Sequence, residues 1–237
     1  MTETGNARGL AELERRITSC RRCPRLVEWR ERVAREKRAA FADEQYWGRP
    51  VPGFGDPDAA IYVLGLAPAA HGANRTGRVF TGDRSGDWLY GSMHRTGFAN
   101  QATSVRAGDG LRLDGAFVGA AVRCAPPANK PLPAERDECL PYAGEELALM
   151  PRVAVMLCLG GFAWDAALRL LAAGGHPIAR PRPPFGHAAE HATLGAPMLL
   201  GCYHPSQQNT FTGRLTEAML DDVFVRAREL AGLEAHS

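Results

Sequence analysis

Ala60-Ile61-Tyr62-Val63-Leu64-Gly65-Leu66-Ala67-Pro68-Ala69-Ala70-His71 opens the stretch that decides the fold, and it runs on through Arg75-Thr76-Gly77-Arg78-Val79-Phe80-Thr81-Gly82-Asp83. The run from Ala60 to Leu64 is short, apolar and rich in β-formers, which predicts a strand buried on both faces and ending in a glycine turn. Open α/β sheets bind ligands beyond the carboxyl ends of their strands, where glycine lets a ligand approach the backbone closely. The following loop offers an aromatic face, Phe80, and a carboxylate, Asp83, three residues apart. That pair suits a flat ring held beside a developing positive charge.

Three more runs have the same character: Ala116 to Val122, Val153 to Leu159 and Pro197 to Tyr203. Between them, helical spacing marks Leu10 to Ile17, a charged surface helix from Leu26 to Phe41, and a helix opened by Ser85 or Asp87 with Leu89, Met93 and Phe98 inward. Further helices are predicted over Ala134 to Leu149, Phe162 to Leu171, and Arg214 to Leu230, the last with Leu215, Met219, Val223 and Val225 as its buried side. Trp47 to Asp56 and Arg180 to His187 are too rich in Gly and Pro for regular structure. Strands alternating with helices predict an α/β fold: a single domain over 1–237 with a four-stranded parallel sheet and helices on both faces. Residues 1–8 and 233–237 are expected to be flexible tails. Gly65, the Cys124 to Asn129 turn, Gly160 and His204 then all fall at strand carboxyl ends and can share one cleft.

A chain of 237 residues with 45% hydrophobic and 23% charged content has the composition of an ordinary globular protein. The net charge of +2 does not by itself announce a nucleic-acid binder. Of 28 basic residues only Lys37 and Lys130 are lysines, so nearly all the cations are forked donors suited to phosphate. The codon bias of a GC-rich genome would produce the same excess. No apolar run approaches the ~18 residues of a membrane span, and a cytoplasmic, monomeric protein is expected.

Six cysteines in such a chain argue for metal-bound or free core thiols over disulfides. Cys20-x2-Cys23 and Cys124-x14-Cys139 supply four thiols from two segments. Such a set suits tetrahedral zinc or an iron-sulfur cluster, and the spacing does not choose. Cys158 and Cys202 lie inside apolar strands and read as free core thiols.

Gly65-Leu66-Ala67-Pro68, Arg75-Thr76-Gly77-Arg78 with Phe80-Thr81-Gly82-Asp83, Arg123-Cys124-Ala125-Pro126-Pro127-Ala128-Asn129-Lys130-Pro131 and His204-Pro205-Ser206, with the four cysteines, resemble the type B, or family 5, uracil-DNA glycosylases. The resemblance implies a uracil-DNA glycosylase-like domain, a repair enzyme that flips a deaminated base from DNA and hydrolyses its N-glycosidic bond with water as nucleophile. It also implies a structural [4Fe-4S] cluster on Cys20, Cys23, Cys124 and Cys139, with no nucleotide cofactor. Catalytic roles fall to Asp83, Asn129 and His204. The base contacts fall to Gly65, Leu66, Ala67, Pro68, Phe80 and Ala120.

Ser206, Gln207, Asn209 and Arg214 resemble the family's DNA-contacting loop, with Phe211 either a wedge into the duplex or a core anchor. The expected partners are DNA containing uracil or other deaminated bases, and downstream repair enzymes. Related families carry an acid where Leu66 or Ala67 stands, so Asp83 and Asn129 must do more of the water activation here. Elsewhere in the superfamily an Asn reads the uracil edge where Ala120 stands. Losing such a reader removes roughly 1 to 3 kcal/mol of discrimination, which predicts a pocket that admits hypoxanthine and xanthine beside uracil. Two other readings are a family 4-like enzyme, against which Leu66 argues, and a non-catalytic, zinc-stabilised DNA-binding module.

Overall fold

The computed structural model describes residues 3–234. Four five-residue strands form its centre: β2 (Ile61–Gly65), β3 (Ala116–Ala120), β4 (Val155–Leu159) and β6 (Met198–Cys202). They pair in parallel in the order β3-β2-β4-β6, with Gly65 opposite Ala120, Leu64 opposite Cys158 and Leu159 opposite Cys202. The sheet is larger than the four parallel strands expected. Two-residue strands, β1 (Phe54–Gly55) and β5 (Glu190–His191), add to its edges antiparallel, giving a six-stranded mixed sheet. Such short edges fall inside Gly- and Pro-rich or polar connectors, where no period of two can show.

Every residue of β2, β3 and β4 is buried because helices cover both faces. Alternation along β2 sends Ile61 and Val63 to one layer and Tyr62 and Leu64 to the other. The first layer holds α4 (Arg84–Arg95) and α8 (Glu217–Leu230), which pack Leu89, Met93, Leu220 and Phe224 on the sheet. The second holds α5 (Pro133–Leu149) and α6 (Gly161–Ala173), through Leu140, Trp164 and Leu168. α1 (Glu3–Thr18) lies on α5 through Leu13, Ile17, Cys139 and Tyr142.

Several local expectations change. α1 begins at Glu3, so residues 3–8 are its first turns, while residues 1–2 and 235–237 of the expected tails lie outside the described residues. α2 (Pro24–Glu36) is shorter than expected and is not simply a solvated helix: it buries Leu26, Val27, Val33 and the whole of Arg30. Val225, expected inside, is 47% exposed, because Val223, Phe224 and Ala227 already fill the inward stripe of α8. A short helix not expected, α7 (Gln207–Phe211), precedes α8, and a single turn, α3 (Ala73–Thr76), interrupts the loop after β2. Among the described residues no helix is long and apolar enough to cross a membrane.

Candidate active site

The pairing of β2 with β3 continues past their ends. Ala121 N donates to Gly65 O at 2.9 Å and Val122 N to Leu66 O at 3.0 Å, so Gly65, Leu66 and buried Ala120 form one rigid lip. Ala67 packs against the cluster of Leu26, Val122 and Cys124, which explains an apolar residue there. Pro68 is buried.

The loop from His71 to Asp83 is held by its arginines. Arg75 donates from Nε to His71 O and from Nη2 to Gly82 O, both at 2.8 Å, and pairs with Glu44. Arg78 grips Asp109 through two bonds of 2.8 and 2.7 Å and reaches Thr81 Oγ1 at 2.9 Å. The Tyr90 hydroxyl donates to Val79 O at 2.9 Å. These clamps fix Phe80 with a φ of 49°, a left-handed conformation that a bulky residue adopts only when its surroundings impose it. Its ring lies over Gly65, where an added Cβ would meet Phe80 Cε2 at 2.7 Å. The absence of a side chain at Gly65 therefore makes room for the ring.

The Phe80 ring faces His204, with centroids 5.8 Å apart at 34°. His204 follows β6, beside Gly160 at the end of β4, whose N–H donates to Cys202 O at 2.8 Å. Burial pushes the His204 imidazole down to about 4, so it is neutral at neutral pH. Among the described residues its ring makes no hydrogen bond. Its carbonyl, by contrast, accepts from Ser206 N at 2.7 Å and Asn209 Nδ2 at 2.9 Å. Ser206 also caps α7, accepting from Asn209 N at 3.4 Å. Asn209 thus holds the His204 turn in shape, while Gln207 and Arg214 are exposed, Arg214 over the Tyr203 ring at 4.5 Å. Phe211 is 67% exposed, which removes its reading as a core anchor.

Asp83 is the N-cap of α4, accepting from Gly86 N at 3.1 Å, so neither Ser85 nor Asp87 takes that position. Burial raises its carboxyl above the ordinary value, against the lowering pull of the Gly86 and Ser85 N–H groups. Its other carboxylate oxygen lies against Gly72. Asn129 differs from the other three. It is exposed on the turn after β3, with φ of 53° at Ala128 and 55° at itself, and among the described residues no hydrogen bond joins it to Phe80, Asp83 or His204. A half-buried aromatic ring, a cap carboxylate and a neutral imidazole thus share the carboxyl edge of the sheet, with the exposed Asn129 amide on the turn after β3.

The profile of the uracil DNA glycosylase superfamily matches residues 52–228. The chain belongs to that superfamily. Among similar proteins, a type-5 uracil-DNA glycosylase of Mycobacterium bovis is 56% identical over 231 residues, 97% of this chain and 85% of the relative. One of Thermus thermophilus is 52% identical over 92% of this chain and 96% of the relative. One of Pyrobaculum aerophilum is 42% identical over 92% and 91%. Members of the superfamily are thus matched across β2 to α8, the part of the chain that carries Gly65, Phe80, Asp83, Asn129 and His204.

Cys20, Cys23, Cys124 and Cys139 line one cavity, with Arg30, Arg123 and Tyr142 around it. Among the described residues no three His, Cys, Asp or Glu side chains converge to hold one metal ion. The four thiols surround a space without closing on a point. Arg30 Nη1 donates to Cys124 Sγ at 2.8 Å and Arg123 N to Cys139 Sγ at 3.2 Å. Arg30 is 2% exposed and its nearest carboxylate, Glu31, stands 3.9 Å away. A cation so buried wants a negative partner; burial pushes the unligated Cys124 thiol up to about 11, so its sulfur would supply that charge only as a metal ligand.

The sequence singled out Phe80, Asp83 and His204, but not the residues that hold them. Arg75 and Arg78 look like phosphate ligands in a list of arginines, yet both are buried scaffolding. Their signal was the pair of arginines flanking Thr76-Gly77, too tightly spaced to face one way. Gly72 and Arg30 carried no signal.

Proposed function

We propose that this chain is a single-domain, monofunctional uracil-DNA glycosylase of the type-5 branch, which excises deaminated bases from DNA. The observation that carries the reading is the Phe80 ring seated over Gly65 and facing a neutral His204, 5.8 Å between ring centroids. A base turned out of the stack needs a flat partner and an edge partner, and these two residues supply both.

As the bond from the sugar C1′ to the base breaks, its electron pair leaves with the base. The His204 ring stabilises the charge gathering on a base carbonyl, and being neutral it does so as a hydrogen-bond donor. The Asp83 carboxylate stabilises the cationic sugar and takes the proton of the water that adds to C1′. Asn129, free on the rim, orients that water. Gln207 and Arg214 contact the backbone, and the Ser206 turn presents them. Ala120 at the lip offers no side-chain hydrogen bond to a base edge, which supports a pocket that takes hypoxanthine and xanthine as well as uracil.

The four cysteines are assigned to a structural [4Fe-4S] cluster. A cluster spreads its thiolates around several irons, whereas zinc gathers four at about 2.3 Å from one centre. The four thiols ring one cavity, and their likeness to the family's cluster-bearing cysteines supports the former. The six unpaired cysteines suit a reducing, cytoplasmic setting, and a monomer is part of this reading.

The test is release of the base from oligonucleotides carrying uracil, hypoxanthine or xanthine, with wild type, Asp83→Ala, Asn129→Ala and His204→Ala. Alkali-labile sites at uracil that vanish in the Asp83 and His204 variants are expected. Intact uracil strands after incubation with the wild type would overturn the reading. Release of uracil alone would overturn the tolerant pocket.

A further inference from the structure

Two limbs of the site meet at a contact that the chemistry above does not use. Arg84 directly follows Asp83 and opens α4. Its guanidinium carbon stands 4.4 Å from the centre of the Phe211 ring, and its Nε reaches Thr210 Oγ1 at 3.5 Å. Thr210 and Phe211 end α7, the short helix that follows His204. Phe211 is 67% exposed and is the one aromatic among the large exposed apolar side chains described. Left alone, an exposed ring at the end of a five-residue helix would sample several rotamers. A flat guanidinium against one face restrains it and leaves the rest of the ring open to a base.

We propose that Arg84 is a positioning residue for Phe211: it holds the ring as the filler of the gap left in the duplex by the flipped nucleotide, and ties that filler to the limb carrying Asp83. The inference rests on the glycosylase reading above. Stacking of a base on an aromatic side chain is sequence-tolerant and strong enough to matter. It is available only where a stack exists. Arg84 therefore matters for paired uracil far more than for uracil already out of a helix.

The experiment measures kcat/KM for uracil in a G·U pair and for uracil in an unpaired internal loop, with wild type, Arg84→Ala, Arg84→Lys, Phe211→Ala and the Arg84→Ala/Phe211→Ala pair. The readout is the ratio of paired to unpaired rates. A tenfold or greater fall in that ratio is expected for Arg84→Ala and for Phe211→Ala, with the double variant falling no more than twofold further. Arg84→Lys keeps the charge but loses the flat face, and should resemble Arg84→Ala. A 2-aminopurine beside the uracil should brighten on binding of wild type and much less with either single variant. An unchanged ratio in Arg84→Ala, losses that multiply in the double variant, or full rescue by Arg84→Lys would overturn the proposal. No uracil release from either substrate by the wild type would instead overturn the glycosylase reading and this inference with it.

Discussion

The carboxyl of Asp83 lies against the α-carbon of Gly72, where a methyl group would stand 2.0 Å from Oδ2. Gly72 N donates to Ala69 O at 3.3 Å, and a side chain at this position has no space beside the carboxyl. Gly72→Ala should push the carboxyl away and lower kcat on uracil DNA by about 100-fold, as displacements near 1 Å do. Circular dichroism should keep the wild-type fold while the melting temperature falls modestly, since the displaced carboxyl also caps α4 through Gly86 N. A variant of full activity would mean that Asp83 tolerates displacement and is not the positioned base.

Asp83→Asn separates chemistry from stability. Burial raises the folded carboxyl above its unfolded value, so the ionised form costs the fold something at neutral pH. The sign follows: at pH well below both values neither state is charged and the cost is absent, while above the folded value it is fully present. Asn keeps an oxygen for the Gly86 N–H, so the variant should melt higher than wild type at pH 8, with the gap closing as the pH falls through the carboxylate range. Its glycosylase activity should be lost. Equal melting temperatures at pH 8 would contradict the burial cost.

The pH dependence of the wild type bears on His204. Its imidazole is pushed down to about 4 by burial, against an ordinary 6.5. The ring is therefore already neutral at pH 6, and kcat/KM should show no step between about pH 6 and 8 from this residue. His204→Ala should reduce kcat by about 100- to 1000-fold, the usual consequence of removing one donor to a developing oxyanion. His204→Asn retains a donor and should recover part of it. A rate step near 6.5 that disappears in His204→Ala would show an imidazolium at work.

The four central strands and the meeting of their carboxyl ends were legible because each is an unbroken apolar run stopped by glycine, cysteine or histidine. β1 and β5 were not, since two residues carry no period and Phe54 and Glu190 sit in connectors. α7 was hidden because Gln207-Gln208-Asn209-Thr210 is polar throughout. Arg30 was misjudged for a physical reason: charge on a helix is normally solvated, and its buried guanidinium instead finds the sulfur of Cys124, 94 residues away, and the carbonyl of Cys20. Asn209 was legible as polar, not as the donor that fixes the His204 carbonyl.

Protein purified without oxygen should be brown, with absorbance near about 400 nm and iron and sulfide in equal amounts, as expected of a cluster. Cys124→Ser or Cys139→Ser should remove colour and iron together. Both thiols lie in the cavity that joins the α1–α2 turn to β3 and α5, so loss of the group should also free the amino-terminal helices to proteolysis. Colourless protein holding one zinc would overturn the cluster assignment and leave the glycosylase site as it stands.

Behind the cysteines, Glu146 joins β2 to the turn that carries Cys124. Its Oε2 accepts from the Tyr62 hydroxyl at 2.5 Å and from Arg123 Nη2 at 2.6 Å, and the Glu146 and Arg123 side chains are 2% and 1% exposed. Arg123 Nε and Nη1 have no other partner among the described residues, so the carboxylate alone offsets this buried cation. Removing one member of a buried pair leaves an uncompensated charge and costs about 3 to 5 kcal/mol, whereas replacing both by apolar groups of similar volume is often neutral. Glu146→Leu should therefore lose about that much in urea unfolding, and Arg123→Met with Glu146→Leu should recover most of it. The recovery is decisive. If the double variant were as unstable as the single one, the cost would come from packing against Gly53 and Gly119, which crowd the same carboxylate at 2.7 and 3.1 Å when given a Cβ, and not from the stranded charge.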